Sequence, residues 1–126
     1  MKFYFIFFLF YFSLFGCSKL KDDEKPKITV VLPKMNDTIR SNNTEVDLQF
    51  YASDNLGLSS LILEINDVSG NNYFSDTKTL HGKEYSYKNS FIVLKNTKIK
   101  PLVMKIHIQD ENQNEEVCYT TFYLAP

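Results

Sequence analysis

The chain has no tryptophan, two cysteines, two histidines and only four glycines in 126 residues. Each shortage closes off a class of function. Antibody-type immunoglobulin domains set a core Trp against an inter-sheet disulfide, so that type is excluded. A phosphate-cradling loop needs clustered glycines, and none cluster here. Zinc requires several N, S or O ligands in tetrahedral reach, whereas His81 and His107 stand isolated. A formal net charge of −1 without a basic stripe leaves no footprint for nucleic acid, so no nucleic-acid partner is expected. His107 as a lone base has no paired nucleophile, and no enzyme is expected.

What is present begins at the N-terminus. After Met1-Lys2, residues Phe3 to Phe15 are apolar apart from Tyr4, Tyr11 and Ser13. A bilayer-crossing helix needs about 20 apolar residues; this shorter run has the form of a signal-peptide h-region. Leu14-Phe15-Gly16-Cys17 resembles the lipobox of bacterial lipoproteins, with a bulkier Phe15 than that pattern usually carries. The resemblance implies removal of residues 1–16, lipidation of Cys17 and a membrane partner held through N-terminal lipid. An uncleaved anchor helix with an incidental Cys17 is the alternative. Each buried CH₂ contributes about 0.8 kcal/mol, so two or three acyl chains hold durably.

Residues 17–26 read as the lipidated Cys and a flexible charged tether, because they lack apolar periodicity. Lys21-Asp22-Asp23-Glu24 also resembles a lipoprotein surface-export signal, although a plain charged linker explains it equally. The implied location is the outer membrane, lipid-anchored, with display on the cell surface.

From residue 27 to 126, alternation of period two dominates, and no helix of three turns is expected. Ile28, Val30 and Leu32 form a first strand that Pro33 ends, which puts it at a sheet edge. Thr38-Ile39-Arg40 is a short edge piece. Val46, Leu48, Phe50 and Ala52 form the clearest inward face, with Glu45, Asp47, Gln49 and Tyr51 opposite. Leu61, Leu63 and Ile65 follow, then a hairpin signal at Ser69-Gly70-Asn71-Asn72. Tyr73 to Leu80 reads as a short strand and an irregular loop. Tyr85, Tyr87, Phe91 and Val93 share a face with Asn89, which predicts a bulge or an early end of pairing. Leu102, Met104, Ile106 and Ile108 form a clean strand. In the last strand Cys118, Phe122 and Leu124 compete with Val117, Tyr119 and Tyr123 for the core side.

About seven short strands with regular turns predict an all-β fold, an immunoglobulin-like antiparallel β-sandwich preceded by a signal peptide. The layout resembles bacterial lipoproteins with an immunoglobulin-like (cadherin-like) domain of unknown function. The resemblance rests on Pro26-Lys27-Ile28, Pro33, Ala52-Ser53-Asp54-Asn55-Leu56-Gly57-Leu58 and Gln109-Asp110-Glu111-Asn112-Gln113-Asn114.

Asp110, Asn112 and Asn114 place oxygen atoms at alternate positions, and Asp54 approaches them if the two turns share one end of the sandwich. Calcium takes six to eight oxygens, which makes these four residues its candidate ligands. The EF-hand spacing is missing, and Asp and Asn serve hairpin turns without any ion, so ordinary turn chemistry is the favoured reading and no cofactor is required. Cys118 reads as a small buried hydrophobe rather than a reactive thiol. Tyr51 and its neighbour Gln49 are the candidate binding surface. The expected function is a lipid-anchored, non-catalytic envelope or cell-surface module that recognises protein or glycan. A structural spacer or accessory subunit of a larger outer-membrane complex is the alternative.

Overall fold

The structure is a computed structural model and describes residues 22–126. The expected signal segment, the lipobox and Cys17 lie outside the described residues. Eight strands follow in chain order: β1 (Lys27–Leu32), β2 (Thr38–Arg40), β3 (Thr44–Ser53), β4 (Leu58–Asp67), β5 (Asn72–Thr79), β6 (Glu84–Val93), β7 (Lys100–Asp110) and β8 (Glu115–Ala125). They form a three-stranded sheet, β1-β3-β6, and a five-stranded sheet, β2-β8-β7-β4-β5. The protein is an all-β sandwich.

The inner faces follow from the alternation. β3 contributes Val46, Leu48, Phe50 and Ala52, and β6 contributes Tyr87, Phe91 and Val93. Opposite them stand Leu61, Leu63 and Ile65 of β4, and Leu102, Met104, Ile106 and Ile108 of β7, all fully buried. Phe50 stacks on Tyr87 with ring centroids 4.7 Å apart. Burial of apolar area between two such faces is the main favourable contribution to folding, about 25 cal/mol per Å² removed from water.

Several local expectations resolve differently from the pattern. β2 pairs with β8 in parallel, Thr38 to Tyr123 and Arg40 to Ala125, so one pairing departs from the antiparallel rule. β5 is one continuous strand rather than a short strand and a loop. β6 runs against β3 without a bulge, from Thr44↔Val93 to Ser53↔Glu84. Asn89 is exposed, which removes the conflict; its Nδ2 donates to the Tyr87 hydroxyl at 3.2 Å, which donates to Asp76 Oδ2 at 2.8 Å. Burial holds the Tyr87 hydroxyl in its neutral form and pushes its pKa well up. In β8 the competition resolves toward Thr120, Phe122 and Leu124, which are buried, with Cys118 packed partly against the core.

β1 is an edge strand and ends before Pro33, which follows a cis peptide bond. Pairing of β1 with β3 brings Lys27 opposite Ser53, so the segment entering the domain arrives beside the β3–β4 connection. The β7–β8 hairpin turn reaches the same end, because Leu58 pairs with Asp110.

Leu63 is completely buried while its neighbour Ile62 is 40 % exposed. Leu63→Ala should therefore cost about 2–5 kcal/mol through lost transfer energy and a residual cavity. Ile62→Ala should stay within about 0.5 kcal/mol. Urea unfolding of the two variants beside the wild type measures both.

Candidate functional site

Two of the hairpin turns share one design. In Asp67-Val68-Ser69-Gly70-Asn71, the Asp67 N–H donates to Asn71 O at 3.0 Å and the Gly70 N–H to Asp67 O at 3.0 Å. In Asp110-Glu111-Asn112-Gln113-Asn114, the equivalent bonds measure 3.0 and 3.2 Å. The fourth residue is left-handed in both, Gly70 at φ 88° and Gln113 at φ 69°. In each, the leading carboxylate accepts two backbone N–H groups on Oδ1, while Oδ2 accepts the closing Asn side chain. These aspartates are buried because they terminate the backbone ladder from inside the turn.

The two turns differ in what surrounds the charge. Lys100 Nζ lies 2.9 Å from Asp67 Oδ2 and also donates to the Tyr73 hydroxyl. The Asn71 amide, then Lys100, hold the Asp67 carboxyl well below the usual carboxylate range. The Tyr73 hydroxyl, then Asp67, push the Lys100 ammonium up. Asp110 has no such cation. Instead, one carboxylate oxygen each of Asp22, Asp54 and Asp110 lie within 4.8 Å of one another. Among the described residues no Lys, Arg or His forms an ion pair with any of the three.

Each member arrives for a local reason. Asp54 follows β3, and its Oδ2 accepts the Leu56 and Gly57 N–H groups at 2.9 and 2.8 Å, which shapes the crossing between sheets. Its Oδ1 is buried and has no hydrogen-bond partner. A Cβ at Gly57 would lie 2.8 Å from Glu111 Cδ, so the Glu111 side chain packs over this position and would have to swing aside for a larger residue. The Glu111 N–H donates to Gly57 O at 2.9 Å and ties the crossing to the β7–β8 turn. Asp22 precedes the first strand. Its Oδ1 accepts from Asn55 Nδ2 at 3.1 Å, Asn112 Nδ2 faces its Oδ2 at 3.5 Å, and its carbonyl accepts from Asn114 Nδ2 at 2.9 Å. The Asn55 bond leads in holding the Asp22 carboxyl below its ordinary value.

The structure thus brings Asp54 and Asp110 together, as the sequence pattern required for calcium. Asn112 and Asn114 stand beside them but present amide donors to carboxylates and to a carbonyl. The sequence places Asp22 in a charged tether or an export-type signal, with no role at the domain; its partners lie 33 and 92 residues away in the chain, beyond any local pattern.

A second locus is the outer face of the three-stranded sheet. Two transverse rows cross it, Lys27–Ser53–Glu84 and Thr29–Tyr51–Ser86. These six residues line a shallow depression of about 530 Å³. Tyr51 is 44 % exposed, and Gln49 Nε2 donates to its hydroxyl at 2.9 Å. Elsewhere, Cys118 is a half-buried free thiol whose pKa burial pushes up, which makes it a poorer nucleophile at neutral pH. His107 Nε2, on the five-stranded sheet, lies 3.4 Å from Glu115 Oε2.

No protein-family model matches the chain, and no curated protein matches its sequence. Solved structures do match its fold. The sporulation control protein Spo0M from Bacillus subtilis aligns with a TM-score of 0.58 at 11 % identity, over 82 % of this chain and 50 % of that one. The periplasmic chaperone SfaE aligns with a TM-score of 0.57 at 10 % identity, over 79 % of this chain and 57 % of that one. The chain spans only about half the length of either. At such identities the likeness is one of fold: a small all-β sandwich.

The Asp67 pairing has a testable pH signature. A carboxylate whose folded pKa is depressed contributes stability that is fully present above the unfolded value, near pH 4, and is lost as pH falls toward the folded value. The stability gap between wild type and Asp67→Asn should therefore be constant near neutrality and narrow steadily below about pH 4. Thermal melts of both proteins across that range measure it.

Proposed function

We propose that the protein is a lipid-anchored, non-catalytic binding module of the outer membrane, displayed toward the cell exterior and recognising a glycan or protein ligand. The observation that carries the binding role is the outer face of the three-stranded sheet. There an exposed tyrosine ring stands between the hydroxyls of Thr29 and Ser86, with Lys27 and Glu84 at the two ends of the adjacent row. An aromatic plate flanked by hydrogen-bonding groups and by one charge of each sign suits a ligand with alternating apolar and hydroxyl or amide surfaces. The ring also costs little conformational entropy to order, because Gln49 already holds its hydroxyl.

The anchoring part of the reading rests on the sequence of residues 1–17, above all Gly16-Cys17 after an apolar run. Among the described residues no helix is long and apolar enough to cross a membrane. The non-catalytic part rests on chemistry: the half-buried thiol and the imidazole of His107 stand without a nucleophile–base pairing, and the acidic group is built from hydrogen-bonded turn carboxylates.

Glycan-array binding and pull-downs from envelope and host-surface extracts, run with the full chain and its Tyr51→Ala variant, test this. The expected result is a specific ligand whose affinity falls at least about tenfold in the variant, or about 1.4 kcal/mol. The melting temperature should be unchanged, since Tyr51 supports no core contact. A ligand indifferent to Tyr51 overturns the sheet-face reading. Recovery of one stable envelope partner and no independent ligand favours an accessory subunit instead.

A further inference from the structure

We propose that Asp22, Asp54 and Asp110 bind a single calcium ion that clamps the N-terminal tether onto the loop end of the sandwich. Three observations carry it. The three carboxylates converge within 4.8 Å from segments far apart in sequence, and no cation of the described residues offsets them. Asp54 is about nine-tenths buried, yet its Oδ1 has no partner at all. A buried carboxylate oxygen without a donor is costly and rare, and one beside two further carboxylates calls for a cation. Finally, the protein builds the same aspartate-led turn twice. At Asp67 it supplies Lys100; at Asp110 it supplies two more acids.

The chemistry of the donors selects the ion. All are oxygens, which excludes a soft-metal preference and suits a hard cation. Calcium bonds oxygen at about 2.3–2.6 Å, so its ligands span up to about 5 Å across the ion, which accommodates the observed cluster. Magnesium, at about 2.1 Å with strict octahedral geometry, fits a set of turn carboxylates less readily. The three carboxylates supply three to six oxygens by their denticity, and water completes the shell. Asn55, Asn112 and Asn114 hold Asp22 in place through their amides, so the tether residue is positioned before the ion arrives.

The consequence is mechanical. With the ion bound, the last residues before β1 become part of the domain, and the hinge between anchor and sandwich moves N-terminal to Asp22. The inference is independent of which ligand the sheet face takes.

The test uses the full chain in detergent, with CaCl₂, MgCl₂ or EGTA. Calcium should raise the melting temperature, bind with a Kd in or below the ~0.1–1 mM range of extracellular modules, and slow cleavage after Glu24 by a glutamate-specific protease. Magnesium at equal concentration should do markedly less. Asp22→Asn should weaken calcium binding about tenfold or more and abolish the protection of Glu24, while leaving the metal-free melting temperature unchanged. That variant sits outside the strands, so loss of folding does not confuse the result. The proposal is overturned if calcium to about 10 mM changes neither melting nor cleavage. It is overturned equally if Asp22→Asn responds as the wild type does, or if magnesium matches calcium.

Discussion

Everything in this fold depends on two alternating apolar faces meeting across a dry interior. β3, β4 and β7 each place side chains of near-zero exposure at every second position. Slipping any of these strands by one residue would turn the buried set outward, so the register is set by the burial itself. Tyr87 shows how tightly polar groups are handled within that constraint. Its ring stacks on Phe50 inside the core, while its hydroxyl reaches Asp76 at the margin of the other sheet. One side chain thereby spans the gap between the sheets and leaves no donor unsatisfied.

The strands then determine the ends. Where an alternating strand leaves the core, its last backbone groups need partners, and here aspartates supply them. Asp54, Asp67 and Asp110 each sit at the end of a strand and each fold their oxygens back onto the following N–H groups. Burial of three carboxylates is a by-product of that local service. What distinguishes them is the neighbourhood each end acquires from the tertiary fold. Lys100 comes to Asp67 from the start of β7. The opposite end gathers the β3–β4 crossing, the β7–β8 turn and the entering chain, and each brings an acid.

Much of this was legible in the residues. The inward faces of β3, β4 and β7 follow from strict alternation, and the edge position of β1 follows from Pro33. β5 was not legible, because only Tyr73 and Phe74 are apolar; it pairs with one neighbour, so Ser75 to Thr79 satisfy water on most sides. Periodicity also carries no strand direction, which hid the parallel pairing of the three-residue β2 with β8. Asn89 reads as a break by alternation, but in the fold it is exposed to water and its amide also reaches the Tyr87 hydroxyl, so it interrupts nothing. At the acidic end, Asp54 and Asp110 were visible as turn residues. Asp22 was not, since a charged run before a domain has the composition of solvated linker whether or not it docks.

The docking of Asp22 changes how the entering segment and the domain relate. A tether of unstructured residues transmits little orientation, because its end-to-end vector is averaged over many conformers. Here the described part of the tether lies against the domain, with Pro26 buried and Asp22 held by three asparagine amides. These contacts are neutral donors on a charge, individually modest and exposed to competition from water. The acids they gather repel one another, so the docked arrangement is poised rather than locked: removing the repulsion strengthens it, and raising it releases the tether. In the lipid-anchored reading proposed above, the orientation of the sandwich would be set at this junction, where the segment entering the domain meets the turns that close its sheets.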